Sequence, residues 1–383
     1  MTRLGVYTDY TYSLQDGRPH AERAFALFVD AVAERLDRTV VIGRLDPEGD
    51  ARYPLGGAEL APLPNYPSLS HTLPAVRGML GSLRPFWRAL DELDCVWILG
   101  PHPLAFPFAL IARLRRRRVL LGVRQDSVEY MRNRHPGSRL RLALARLMSA
   151  GFHLLARRWP VVAVGPAIAE QYAGSRALLQ ISVSLIHDGE VAQLPAAAAK
   201  DYSGELRALS VGRLESEKNP VALADVLAAL RRADDRWRLV VCGEGALRAQ
   251  LERRLAELGI ADAAEVRGYV AHDRGLAEEY RSAHALLLVS WTEGLPQVLF
   301  EAFAAGLPVA ATDVGGIAAA VGDAALLAPP GDPERIAAQL ARIGRDEGLR
   351  RALIERGLEL ARANTIESES ARVASFVEEA AAG

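Results

Sequence analysis

Short apolar runs alternate with helical patterns along almost the whole chain, and this leaves few folds open. A strand that is apolar on both faces needs helices on both sides, which means a parallel sheet built from strand, helix, strand units. In the first half these runs are Leu4–Tyr7, Val40–Gly43, Val96–Leu99, Val119–Val123 and Val161–Val164. In the second half they are Leu209–Gly212, Leu239–Gly243, Glu265–Gly268, Ala285–Val289 and Val309–Ala311. At 383 residues the chain is too long for one ordinary core, so two domains are expected. Gly189–Gly204 is small, polar and aperiodic and reads as the linker, while the Pro-rich interval Pro47–Pro74 reads as long loops. The expected fold class is therefore α/β: two Rossmann-like, doubly wound domains, residues 1–188 and 189–363, facing each other across a cleft. A helical pattern within 364–383 is expected to pack back on the first domain. Ligands in such sheets bind at the carboxyl ends of the strands.

Bulk composition excludes several classes. A net charge of −1 argues against a general nucleic-acid binder. Cys95 and Cys242 both lie in apolar runs and read as inert thiols in a reducing compartment, which makes a cytoplasmic location the expectation. The opening MTRLGVYTDY turns polar before a signal h-region forms, and no apolar run approaches the roughly 20 residues needed to span a bilayer. No Asp-x-Asp pair and no ligand-spaced His/Cys/carboxylate cluster occurs, so no metal site is expected.

The segment Ser290–Gly316 is the most informative. It reads as a turn leaving a strand, a helix opened near Pro296 and stopped at Gly306, and the next strand from Leu307. Glu293 stands at the mouth of that helix and Glu301 eight residues on, roughly 12 Å away at helical rise. That is about the span from a sugar to a ribose across a diphosphate. The bland alternative is a helix-surface residue and a cap.

Two further loops carry chemistry. After the strand ending at Gly212, Arg213 and Lys218 stand on one loop, where a guanidinium can take two phosphate oxygens and an ammonium acts as a point charge. A solvated loop salt-bridged through Glu215 and Glu217 is the competing reading. Gly243 and Gly245 bracket the next strand-to-helix turn, but Arg248 stands where a dinucleotide fingerprint needs a third glycine. Hydride transfer thereby loses its main support.

Gly212-Arg213-Leu214 with Glu217-Lys218, Gly243-Glu244-Gly245, Glu293-Gly294-Leu295-Pro296 through Glu301, Gly306-Leu307-Pro308-Val309 and Gly315-Gly316 stand together in order and spacing. This set resembles family 4 retaining glycosyltransferases with the GT-B fold, over roughly Ser210–Pro330. The resemblance implies transfer of a sugar from a nucleotide-sugar donor to an acceptor with retention of configuration and without a metal. It implies that Arg213 and Lys218 hold the donor diphosphate, that Glu301 holds the ribose hydroxyls, and that Glu293 with the amides of Gly294 and Leu295 holds sugar and phosphate. The donor is a co-substrate, with a UDP-sugar favoured and a GDP-sugar next, and no cofactor is expected. Two rivals stand beside this reading: a sugar-nucleotide epimerase on the same fold, which would lack the family 4 motifs, and a non-catalytic partner that binds the donor and does nothing more.

The first domain departs from the family pattern. The loop expected at Thr8–Gly17 has one glycine where relatives show a pair, with Asp16 before it; Arg124 stands where a histidine is common, with Asp126 just beyond. His102, in Gly100-Pro101-His102-Pro103, ends another strand. Asp16, His102, Arg124 and Asp126 are the candidate acceptor or sugar contacts. From Ile111 to Pro160, thirteen arginines face only Asp126 and Glu129, a local charge of +11. On a helical wheel Arg139, Arg146 and Arg157 fall to one side and Leu140, Leu144, Leu147 and Leu155 toward another, with Arg141 among the leucines. The two readings are contact with a membrane surface or an anionic, lipid-linked acceptor, and a solvated face on a core helix.

Overall fold

The computed structural model describes residues 2–66, 72–134, 137–270 and 275–382. Part of the Pro-rich interval (67–71) and two positions of the Arg-rich stretch (135–136) lie outside the described residues. The chain divides into two compact units, Met1–Leu185 with Ile366–Gly383, and Ile186–Thr365.

The first unit holds β1 (Arg3–Gln15), β2 (Arg18–Ala21), β3 (Arg38–Leu45), β4 (Tyr53–Pro54), β5 (Glu59–Leu63), β6 (Cys95–Gly100), β7 (Arg118–Val123), β8 (Val161–Val164) and β9 (Leu178–Ile181). Its parallel strands run β5-β3-β1-β6-β7-β8-β9, so the chain works outward from β1 in one direction and then reverses. The second unit holds β10 (Leu206–Val211), β11 (Trp237–Cys242), β12 (Ala264–Gly268), β13 (Ala285–Leu288), β14 (Val309–Thr312) and β15 (Ala325–Ala328). Its order, β12-β11-β10-β13-β14-β15, is the 3-2-1-4-5-6 winding of a dinucleotide-type fold. Alternate residues of each strand feed opposite faces, as the two-residue period requires. Leu239 and Val241 of β11 enter one core with Leu227, while Val240 and Cys242 enter the other with Leu299.

Two expectations need correction. The segment from Thr8 is not a loop: β1 continues to Gln15 and turns through Asp16 (φ 50°) and Gly17 (φ 75°) into antiparallel β2, with Gln15 opposite Arg18. An Asp-Gly pair with both φ angles positive is a two-residue hairpin turn. The leucine stripe of the helix Arg139–Ala156 is not a core face either. Of that stripe Leu140, Leu144 and Leu147 are 72%, 51% and 70% exposed and only Leu155 packs against the core, while the helix buries Ala145, Phe152 and Ala156.

The last helix, Ile366–Ala382, belongs to the first unit. Val373 and Val377 pack in one cluster with Phe28 and Val32 of the helix Phe25–Ala33, and Arg35 Nε donates to Ser370 Oγ at 2.8 Å. Glu369 is fully buried beneath this helix and pairs with Arg372 at 2.7 Å. Burial lifts its carboxyl to about 7 against the pull of Arg372. Because the folded value lies above the unfolded one, Glu369 contributes its stabilisation fully below about pH 4.5 and loses it as pH rises through about 7. Relative to Glu369→Gln, the native chain should lose stability between pH 5 and 8, by up to about 3 kcal/mol. Denaturant midpoints at both pH values check this; a pH-independent difference would contradict it.

Candidate functional site

Both sheets reverse direction between two neighbouring strands, β1 and β6 in one unit and β10 and β13 in the other. Crossovers leave such a pair on opposite sides, which opens a crevice at the carboxyl ends. In the second unit the residues singled out from the sequence stand at that crevice.

After β10, the chain passes Gly212 and Arg213, makes a short 3-10 turn over Ser216–Lys218, and leaves it through Asn219 in the left-handed region (φ 52°). Asn219 Nδ2 donates to the Val289 carbonyl at 3.2 Å, and the Trp291 amide donates to the Glu217 carbonyl at 2.9 Å. These bonds tie the loop after β10 to the loop after β13. Across the seam, Lys218 Nζ meets both carboxylate oxygens of Glu293, at 2.7 and 2.6 Å, and Ser290 Oγ donates to Glu293 Oε1 at 2.6 Å. The Glu293 side chain is only 6% exposed, that of Lys218 26%. An ammonium has three protons, so Lys218 keeps one direction for a further anion.

The backbone around this pair is close-packed. Gly315, at φ 58°, lies so near the Glu293 carbonyl that a Cβ would sit 2.0 Å from its oxygen. A Cβ on Gly243 would come within 1.8 Å of the Gly212 carbonyl oxygen, so Gly243 serves first to let the loops after β10 and β11 run side by side. Gly245 approaches Leu214 in the same way. Arg213 is held by Glu217 at 2.7 Å and is largely exposed. The salt-bridged-loop reading is thus correct for Arg213 through Glu217, whereas Lys218 reaches past its own loop to Glu293.

Pro296 stands at the N-cap of the helix Gln297–Ala304, with no side-chain cap, just beyond Gly294 and Leu295. Gly306 follows at φ 68°, as expected of the helix stop. Glu301 lies on this helix and accepts from Tyr280 Oη at 2.6 Å. Tyr280 is buried, and desolvation together with Glu301 pushes its hydroxyl well above the ordinary tyrosine range, so it stays a donor. Sequence reasoning missed Tyr280, whose helix Ala277–Ser282 offers no motif.

The first unit has its own cluster at the β1/β6 reversal. His102, just past β6, is 7% exposed; Tyr7 Oη lies 2.9 Å from its Nδ1, and the Leu104 amide donates to the same nitrogen at 3.2 Å. An amide can only donate, so Nδ1 accepts and the proton sits on Nε2. That nitrogen faces Asp9 Oδ2 at 3.3 Å. Tyr66 Oη donates to Asp9 Oδ1 at 2.6 Å, and Arg44 Nη2 donates to the Asp9 carbonyl at 2.9 Å. Tyr7, Asp9, Arg44 and Tyr66 form the setting that the sequence did not reveal, because β1, β3 and the segment after β5 supply them from distant positions.

The other first-unit candidates do not join that cluster. Asp16 occupies the exposed tip of the β1–β2 hairpin. Asp126 caps the helix Ser127–Arg134, its Oδ1 accepting from the Val128 and Glu129 amides at 2.8 and 3.0 Å. Arg124 lies over the rings of Phe25 and Tyr10, 4.1 and 5.5 Å from their centroids, and burial lowers its guanidinium to about 10. Cys95 and Cys242 are buried free thiols. Among the described residues, no group of three His, Cys, Asp or Glu side chains is arranged to hold a metal.

Burial lowers the His102 imidazole below its ordinary value, while the Asp9 carboxylate works against that shift. The ring should titrate below pH 6.5 by NMR, and Asp9→Asn should lower the midpoint further; a rise would remove Asp9 from contact with the ring.

Residues 197–360 match the family described as Glycosyl transferases group 1. The chain is similar to D-inositol 3-phosphate glycosyltransferase of Streptomyces bingchenggensis, 35% identical over 156 residues, covering 38% of this chain and 34% of the relative. It is also similar to the GalNAc-alpha-(1->4)-GalNAc-alpha-(1->3)-diNAcBac-PP-undecaprenol alpha-1,4-N-acetyl-D-galactosaminyltransferase of Campylobacter jejuni. That match is 36% identical over 101 residues and covers 26% of this chain and 27% of the relative. Against curated relatives of this kind, the match spans between 13% and 42% of their own length. Among solved structures, Anabaena HepE in complex with UDP-glucose superposes with a TM-score of 0.69 at 16% identity, over 99% of this chain and 100% of that one. The chain therefore has the GT-B fold, and its match to the group 1 glycosyl transferase family lies over residues 197–360.

Proposed function

We propose that the protein transfers a sugar from a nucleotide-sugar donor to an acceptor with retention of anomeric configuration, as the resemblance to family 4 implies. The observation that carries the reading is the Lys218–Glu293 pair at the β10/β13 reversal, flanked by Arg213 and Glu301. Breaking a sugar–phosphate bond builds negative charge on the departing diphosphate. Arg213 exchanges Glu217 for phosphate oxygens, and Lys218 directs its remaining proton at the same charge. Two cations supplied by the chain serve the purpose a metal would otherwise serve, which makes the reaction metal-independent. Glu301, oriented by Tyr280, accepts from the ribose hydroxyls, and Glu293 with the amides of Gly294 and Leu295 holds the sugar and its phosphate. Gly212, Gly243, Gly245 and Pro296 shape the backbone around the donor.

In this reading residues 189–363 bind the donor and residues 1–188 the acceptor, with His102, beside Asp9 past the end of β6, as the acceptor-side contact. UDP is the favoured base, supported by the UDP-glucose complex of HepE, with GDP next. A lipid-linked acceptor is supported by the undecaprenol-linked substrate for which the Campylobacter relative is named and by the exposed leucines of the helix Arg139–Ala156. It would place the protein at the cytoplasmic membrane surface. Among the described residues no helix is long and apolar enough to cross a membrane.

Thermal-shift titration with UDP, GDP, ADP, CMP and their sugar conjugates tests the donor site. A ligand at 100 times its dissociation constant adds about 2.7 kcal/mol of stability. Stabilisation by UDP is expected, and silence from all of them would overturn the assignment. Glu301→Gln should weaken donor use roughly 10- to 150-fold, the worth of a charged hydrogen bond. Lys218→Ala should lower turnover more than nucleoside affinity; a loss confined to affinity contradicts a leaving-group role. The anomeric configuration of the product, read by NMR, decides retention.

A further inference from the structure

At the opposite edge of the first sheet lies a cavity of about 850 Å³ that the proposed reaction does not use. Arg118 opens β7, and Pro160 and Ala177 immediately precede β8 and β9, so the cavity sits at the amino-terminal edge. A strand's length, roughly 20 Å, separates it from the carboxyl ends where Arg124 and His102 stand. Six arginines line it: Arg113, Arg116, Arg117, Arg118, Arg158 and Arg176. The single acid in its wall is Glu379.

What distinguishes these arginines is that six of them converge on one cavity wall with a single acid among them. Other arginines of the chain are paired with carboxylates, Arg38 with Glu59 and Glu92, Arg236 with Asp234, Arg254 with Asp225. In the cavity Arg117 alone has a hydrogen bond, from Nη2 to the Asp91 carbonyl at 2.9 Å, and its Nε is buried without a partner. Among the described residues the other five guanidinium groups meet no carboxylate or carbonyl. A chain with 47 acidic residues has leaves enough carboxylates to neutralise such a wall, yet this one holds like charges together at a cost in repulsion. Guanidinium forks match phosphate oxygens in geometry as well as charge.

An apolar groove of about 350 Å³ adjoins the cavity and shares Arg113, Arg158 and Trp159 with it. Its walls are Phe106, Leu110, Leu154 and Leu155, of which Leu110 and Leu154 are more than half exposed. A phosphate joined to an apolar chain would fill both spaces.

We propose that this arginine-lined cavity is a second ligand site, separate from the donor crevice, that binds a phosphate group. A lipid headgroup and a soluble polyphosphorylated molecule supply the same chemistry, and the proposal does not depend on the glycosyl-transfer reading. The test uses the full chain carrying Arg213→Ala and Lys218→Ala, so that donor-side cations do not contribute. Inorganic pyrophosphate is titrated calorimetrically at low salt, and vesicles of phosphatidylglycerol with phosphatidylcholine are compared with phosphatidylcholine alone by sedimentation. Binding in at least one arm is expected, weakened about tenfold or more by Arg158→Ala with Arg176→Ala. Arg253→Ala with Arg351→Ala removes the same charge on the second unit, outside the cavity, and should leave binding intact. Vesicle binding without pyrophosphate binding identifies a headgroup, and the reverse identifies a soluble ligand. No binding in either arm, or equal losses from both variant pairs, overturns the proposal. Both exposed-arginine pairs are checked for an unchanged unfolding midpoint.

Discussion

The neighbouring of β10 and β13 governs the rest of the second unit. Once the chain has wound β10, β11 and β12 in one direction and returned to start β13 against β10, the loops leaving these two strands diverge. The gap cannot be filled by a helix, because right-handed crossovers carry the helices away on either side. Backbone donors and charged side chains therefore collect there. The Asn219–Val289 and Trp291–Glu217 bonds keep the gap narrow, and Gly315 lets the next loop press on its rim. The first unit repeats the arrangement with β1 and β6, and there too the polar cluster forms at the reversal.

The charges at the second crevice are neutralised within the chain, and unequally. Arg213 and Glu217 are an exposed pair of four-residue spacing, worth little and easily exchanged for another anion. Lys218 and Glu293 are partly withdrawn from water, and separating them would leave a poorly solvated carboxylate. Under the proposed reaction an incoming diphosphate would take Arg213 away from its exposed partner but join Lys218 where it stands.

Most of the parallel strands were legible in the sequence, because a strand buried on both faces must be continuously apolar. Several strands lacking that property escaped notice, and so did β15, apolar but only four residues long. β5 contains Pro62, β9 mixes Gln180 into its run, and the outer part of β1 alternates polar residues as a hairpin arm does. The Asp16-Gly17 pair was the available signal for that hairpin. At the second-unit crevice the motifs singled out candidate residues, and the structure added which side chains meet there: Lys218 with Glu293, Tyr280 with Glu301. The first-unit cluster was illegible because Asp9, Arg44, Tyr66 and His102 come from four segments with no common motif. The leucines of the helix Arg139–Ala156 misled for a different reason: periodicity reports an apolar face but not what covers it.

The first unit is not continuous in sequence. Its strands end by Ile181, the chain then builds the whole of the second unit, and only the final helix, from Ile366, returns to cover Phe28 and Val32. On the ribosome, where domains fold as they emerge, the second unit has all of its segments in hand before the first does. An apolar surface made early must wait, unprotected, until the whole of the second unit has been made. A chain interrupted before Ile366 would leave that surface bare and open to aggregation or chaperone capture while the second unit remains whole.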